Sequence, residues 1–200
     1  MKRELLDIEK ENKNKIYKVS NLAKTQIMIG HTSRNFNDYL KSIEIRNNGK
    51  YKRIPHYIIS ELGEVKELVN PKYTSEFFGD KSIDGKLISV LLENNGWLTH
   101  KKQTNRLCDW LGNIYKGEVF EKKWRNKFFW STYSDKQLNN LNSLLENLFN
   151  DFKIERKMVG HNVRVKGVEN FKGIVSRSNY SEFFTDLSPA FNFDKIKEII

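Results

Sequence analysis

One stretch constrains the fold more than any other: Ser134-Asp135-Lys136-Gln137, followed by Leu138, Leu141, Leu145, Leu148, Phe149 and Phe152. A serine at a helix N-cap accepts from an orphan amide, and a glutamine three residues on can reach back to it. The apolar positions then recur three and four residues apart, so they line one face of a long helix. Such a stripe has to be laid on another apolar surface. Short apolar runs supply that surface. Ile27-Met28-Ile29 and the run from Leu87 to Leu92 are too short for helices and read as buried strands. Residues 55–60 and 64–69 read as a hairpin turned at Glu61-Leu62-Gly63. Phe36, Tyr39, Leu40 and Ile43 give a second helix, stopped at Asn47-Asn48-Gly49. The expected fold is α/β: a single domain, 25–200, with a central mixed β-sheet flanked by α-helices, preceded by an arm or helix over 1–24. Residues 98–133 hold three of the four tryptophans with little clean periodicity, which reads as an elaborated connection over one face. Residues 162–184 read as a loop, and 194–200 as a short closing helix.

Composition limits the rest. With 38% hydrophobic and 12% aromatic residues, the 200-residue chain is too apolar for disorder. Its single cysteine, Cys108, forbids an internal disulfide and reads as a small buried residue. The first residues carry no apolar run of signal-peptide length, and no stretch approaches a membrane span, so a soluble cytoplasmic product without membrane insertion is expected. The net charge of +10 asks for an anionic partner. Its basic residues are interleaved with acids and accompany no nucleic-acid motif, which argues against nucleic acid and leaves anionic wall polymers.

Three polar residues stand at the mouths of apolar segments: His31 after Ile27–Ile29, His161 after Val159-Gly160, and Asp186 ahead of Ser188-Pro189. Singly, each has a structural reading, as a hydrogen-bonded core histidine or a turn aspartate. Together, two imidazoles and a carboxylate are the ligand set of a catalytic zinc site with one position open to water. His56 reads as packed or groove-lining. The tryptophans read as core, with one at most lining a groove.

The order of motifs resembles the zinc N-acetylmuramoyl-L-alanine amidases, the family that includes bacteriophage lysozyme-type amidases and peptidoglycan recognition proteins. The resemblance runs from His31-Thr32-Ser33, through His56-Tyr57-Ile58-Ile59 and the strand ending Glu93-Asn94, to Gly160-His161 and Thr185-Asp186-Leu187-Ser188-Pro189-Ala190-Phe191. It implies Zn2+ on His31, His161 and Asp186, and hydrolysis of the amide between N-acetylmuramic acid and the L-alanine of the stem peptide. The setting it implies is a phage endolysin or virion-borne wall hydrolase, acting as a monomer on peptidoglycan or muropeptides. Many relatives carry two adjacent histidines at the first site, the first binding metal. Reading His31 as the ligand keeps the metal, whereas a one-residue shift puts Gly30 there and loses it. Three positions depart from the family pattern. Phe184 stands where a catalytic lysine is usual, Leu91 where some relatives have glutamate, and Pro55 where others have tyrosine. Glu93, two residues from Leu91 on the same strand face, is the expected acid/base. Tyr57 and Arg177 are its expected companions, Arg177 as oxyanion partner. A catalytically inactive peptidoglycan-binding or regulatory protein on the same fold is the alternative.

Overall fold

The computed structural model describes residues 17–46, 53–101 and 106–200. Most of the expected 1–24 arm, and the turn Asn47-Asn48-Gly49, lie outside them. In chain order the elements are β1 (Lys18–Val19), β2 (Gln26–His31), α1 (Phe36–Ile45), β3 (Tyr57–Ile59), β4 (Val65–Glu67), β5 (Tyr73–Thr74), α2 (Lys81–Asp84) and β6 (Leu87–Leu92). There follow β7 (Trp97–His100), β8 (Leu107–Cys108), β9 (Val119–Trp124), β10 (Lys127–Ser131), α3 (Asp135–Phe152), β11 (Gly173–Ser176), α4 (Arg177–Tyr180) and α5 (Asp194–Lys197).

The central sheet is mixed, in the order β11-β2-β6-β3-β4. Strands β11, β2, β6 and β3 run parallel, and β4 closes the edge as the antiparallel arm of the expected hairpin. A parallel sheet is covered on both faces, which is why β2 and β6 are buried along their whole length. On one face Ile27, Ile29, Ile88, Val90 and Leu92 meet the stripe of α3 at Leu138, Leu141, Leu145, Leu148 and Phe149. Each such burial stabilises by roughly 1.5–3 kcal/mol. On the other face Met28, Leu91 and Val175 pack against Phe77, Val168 and neighbouring apolar side chains.

The helix start differs from the expected box in one half. Ser134 caps as predicted, its Oγ accepting from the Gln137 amide at 3.1 Å. Gln137, fully buried, does not reach back; its Nε2 donates to the carbonyls of Ile59 and Glu93, both at 3.0 Å. The helix is thereby pinned to the ends of β3 and β6.

Two segments are more ordered than the sequence reading held. The described residues of 98–133 supply most of a four-stranded antiparallel sheet, β8-β7-β10-β9, in place of an irregular connection. The β9–β10 hairpin turns at Arg125-Asn126, both at positive φ as tight hairpin turns require. The expected 162–184 loop contains β11 and α4, and β11 takes the sheet edge beside β2. No helix among the described residues is long and apolar enough to cross a membrane.

Candidate active site

The C-terminal ends of parallel strands leave a crevice where ligands commonly bind in α/β sheets. Here a cavity of about 470 Å³ opens at that edge, lined by residues that include His31, Arg34, Leu91, Trp97, Trp110 and Arg177. Aromatic rings and arginines dominate its wall. Arg46, Arg53, Phe77, Phe78 and Phe184 complete that character, and no Asp or Glu is among the described lining residues.

Behind the wall, bound to the lining residue Arg177, lies Asp186, 1% exposed. Its Oδ2 accepts from the Arg177 Nε at 2.5 Å and from the His31 backbone amide at 3.2 Å. Arg177 is the first residue after β11, so the parallel pairing of β11 with β2 is what delivers it there. Its Nη2 donates to the His31 carbonyl at 2.9 Å. The guanidinium is flanked by rings, 5.6 Å from the Phe77 centroid and 5.2 Å from that of Phe184. Phe184, in the place of the family lysine, therefore supplies a π face to Arg177 where an ammonium would repel it.

Side chains alternate along a strand, so Gly30 and His31 cannot both face Asp186. Gly30 is the one that does. A Cβ there would stand 2.3 Å from Asp186 Oδ2, 2.9 Å from Leu91 Cδ2 and 3.0 Å from Arg177 Nε. The glycine is required for the close approach of the ion pair to β2. The His31 ring instead lies over Gly96, whose own added Cβ would meet His31 Cε1 at 2.6 Å. His31 is 2% exposed, and its Nδ1 is buried without a hydrogen-bond partner. Burial pulls its pKa down to about 4, against an opposing pull from Asp186.

The other expected site residues have other partners. Met158 makes a parallel bridge to Ile174, so the segment ahead of His161 lies one strand position beyond β11. His161 is exposed; its Nδ1 accepts from the Val163 amide at 3.3 Å, and its carbonyl accepts from Asn179 Nδ2 at 2.7 Å. Glu93 does not line the cavity: its Oε1 accepts from the Phe36 amide and its Oε2 from the Glu61 amide, each at 2.7 Å. Tyr57 donates to Glu67 Oε2 at 2.9 Å, on the sheet face covered by α3, and its phenol is pushed up by burial and then by Glu67. Of the sequence-derived set, the fold brings together Asp186, Arg177 and the backbone of His31. Gly30, Arg34, Phe77 and Trp110 belong to the site as well, and their only signal in the sequence was the alternative register at Gly30.

These residues do not fit a three-donor metal centre. Among the described residues, no group of three His, Cys, Asp or Glu side chains converges. The β2 position facing Asp186 offers no side-chain donor, and the carboxylate oxygen nearest it already holds a guanidinium.

Because Glu93 braces the start of α1 and the β3–β4 turn, Glu93→Ala is expected to cost about 1–2 kcal/mol by orphaning two amides. Urea unfolding of the purified variant measures this, and an unchanged midpoint would deny the brace.

The loop carrying Asp186 is held from the second sheet. Arg125, at the β9–β10 turn, donates through Nη1 to the Glu182 carbonyl at 2.6 Å and also to that of Phe184. Its Nη2 reaches the Asn162 carbonyl at 3.4 Å.

The sequence profile described as N-acetylmuramoyl-L-alanine amidase matches residues 20–173, most of the chain. The chain belongs to the N-acetylmuramoyl-L-alanine amidase family. The matched part of this amidase-family chain stops before Arg177 and Asp186. No curated protein sequence matches it. Among solved structures it is similar to the N-acetylmuramyl-L-alanine amidase AmiD from E. coli, in complex with the substrate anhydro-N-acetylmuramic acid-L-Ala-D-γ-Glu-L-Lys. That similarity has a TM-score of 0.52 at 13% identity, over 88% of this chain and 56% of AmiD. The chain thus spans little more than half of AmiD's length. It is also similar to AmpD, with a TM-score of 0.56 at 10% identity, over 94% of this chain and 91% of that one. At these identities the likeness is one of amidase fold.

Proposed function

We propose that this amidase-family protein binds peptidoglycan fragments, with the stem peptide seated in the arginine- and aromatic-lined cavity at the ends of β2 and β6. The observation that carries this reading is the cavity's composition on an amidase fold: four arginines, two tryptophans and no carboxylate among its described lining residues. Stem peptides carry free carboxylates, which arginines hold through charge-assisted hydrogen bonds, and sugar rings stack on indoles. The similarity to AmiD, a structure containing a muropeptide, points to the same ligand class.

The family match favours a second reading. It is zinc-dependent hydrolysis of the bond between N-acetylmuramic acid and L-alanine by a phage-type wall enzyme, with Zn2+ on His31, His161 and Asp186. Glu93, Tyr57 and Arg177 would then be the proton-transfer and oxyanion groups. The donor geometry gives that reading less support than recognition without turnover.

Calorimetric titration with anhydro-N-acetylmuramyl tripeptide, followed by mass spectrometry of the mixture, separates the two. Saturable binding near micromolar affinity, about −8 kcal/mol, with the ligand recovered intact is expected. Release of free tripeptide in a zinc-dependent manner would establish the hydrolase instead. No binding and no release would remove both.

A further inference from the structure

We infer that the cation of this site is part of the polypeptide: Arg177 occupies the place of a metal ion, and the site recognises its ligand without one. The inference rests on the muropeptide reading for the identity of the ligand, but not for the claim about metal.

Three observations lead to it. The strand position that faces Asp186 is Gly30, and the space its side chain would take is filled by the carboxylate and by Arg177 Nε. The strand that lies parallel beside β2 and ends against Asp186 is β11, and the residue it delivers is Arg177, not His161. Phe77 and Phe184 then flank the guanidinium, so two further positions are fitted to a fixed organic cation. A divalent ion at Asp186 would have to displace that guanidinium from a carboxylate 2% exposed, and would find glycine, not histidine, at the β2 position that faces it.

The arrangement also predicts how ligand is held. Arg177 spends Nε on Asp186 and one Nη2 hydrogen on the His31 carbonyl. Among the described residues no acceptor engages its Nη1, and the side chain is 20% exposed in the cavity wall. Its outer edge is therefore a pre-oriented donor pair, anchored from behind by an anion, aimed at an incoming carboxylate or carbonyl oxygen. Arg34, its guanidinium 5.1 Å over the Trp110 ring, lies on the same wall and supplies a second positive anchor. The ligand class this selects is a peptide with at least two anionic groups, such as a stem peptide with its isoglutamate and terminal carboxylates.

The test has two independent arms. In the first, wild-type protein is dialysed against zinc and its metal content measured: zinc far below one per chain is expected. One zinc per chain, abolished by His161→Ala, would overturn the inference whatever the ligand. In the second, titration with the anhydromuramyl tripeptide is run with and without EDTA. Equal affinities are expected, and affinity that collapses in EDTA would overturn the inference. Arg177→Ala should weaken binding by about thirtyfold or more. Arg177→Lys keeps the charge against Asp186 and the fold, but loses the fork, and should fall between. Wild-type affinity in Arg177→Lys would overturn the anchoring role. A wild-type protein that binds neither tripeptide nor zinc sinks the muropeptide reading while upholding the metal-free site.

Discussion

Lowering the pH from 7 towards 3 is expected to cost this protein several kcal/mol of folding stability, chiefly through His56 and then His31. His56 is 1% exposed between β3 and β6. Its Nδ1 accepts from the Ser89 amide at 3.0 Å, and its Nε2 faces the Tyr73 carbonyl at 3.1 Å. Burial pulls its pKa from 6.5 down to about 3, Lys24 adds to that, and the Tyr73 carbonyl opposes it. His31 is pulled to about 4 by burial. Between these values and 6.5 the unfolded chain binds protons that the folded chain refuses, so stability rises with pH across that window. The contribution is complete above about pH 6.5, and is lost as pH falls through about 4 for His31 and about 3 for His56. Each unit of separation is worth about 1.4 kcal/mol, which makes the combined loss large against a typical total stability of about 5–15 kcal/mol. Asp84, raised by burial, runs the other way and blunts the effect. Urea midpoints at a series of pH values measure the slope, and His56→Gln should flatten it. A midpoint constant from pH 7 to 4 would contradict the burial of both rings.

The second large effect is a gain. The double variant Gly30→His, Arg177→His is expected to take up one zinc per chain where the wild type takes none. The two substitutions place one imidazole on β2 and one directly after β11, both against Asp186, completing a His, His, Asp donor set. The singles should not do this. A Cβ at position 30 falls 2.3 Å from Asp186 Oδ2 and 3.0 Å from Arg177 Nε, and while Arg177 holds that carboxylate in place it cannot swing aside, so Gly30→His alone disrupts the ion pair and destabilises. Arg177→His alone leaves one imidazole and one carboxylate. The effects are strongly non-additive because the residues touch. Metal analysis after desalting gives occupancy. Thermal unfolding with zinc at about 100 times its Kd should show roughly 2.7 kcal/mol of stabilisation in the double variant only. A folded double variant that retains no zinc would mean that positions 30, 177 and 186 do not converge as described.

Periodic segments are legible in the sequence. The stripe of α3, the β3–β4 hairpin and the continuously apolar β2 and β6 all stand where the residue pattern put them. What was not legible depends on contacts between distant parts of the chain. Strand β11 is four residues, Gly-Ile-Val-Ser, in a charged stretch, and it exists because β2 offers it a parallel edge. Missing it hid the fact that Arg177, already singled out for its charge, closes on Asp186. The second sheet was obscured for another reason: Phe120 and Phe128 are exposed apolar residues on its strands, so the in–out alternation that marks a half-buried strand is blurred. At the site, Asp186 was recognisable from Thr185-Asp186 and Ser188-Pro189-Ala190-Phe191. The choice between Gly30 and His31 was not, since a one-residue shift exchanges the two faces of a strand and only the partner across the gap decides it.

The grip of Arg125 on the backbone of residues 181–184 has a consequence for how this protein can be changed. A hairpin tip is ordinarily where insertions are tolerated, yet here it doubles as the peg on which the segment holding Asp186 hangs. Lengthening or trimming that tip would release the carbonyls of Glu182 and Phe184 and leave the acid to Arg177, Ser178 and the His31 amide, so a change in the outlying sheet is felt at the ligand crevice.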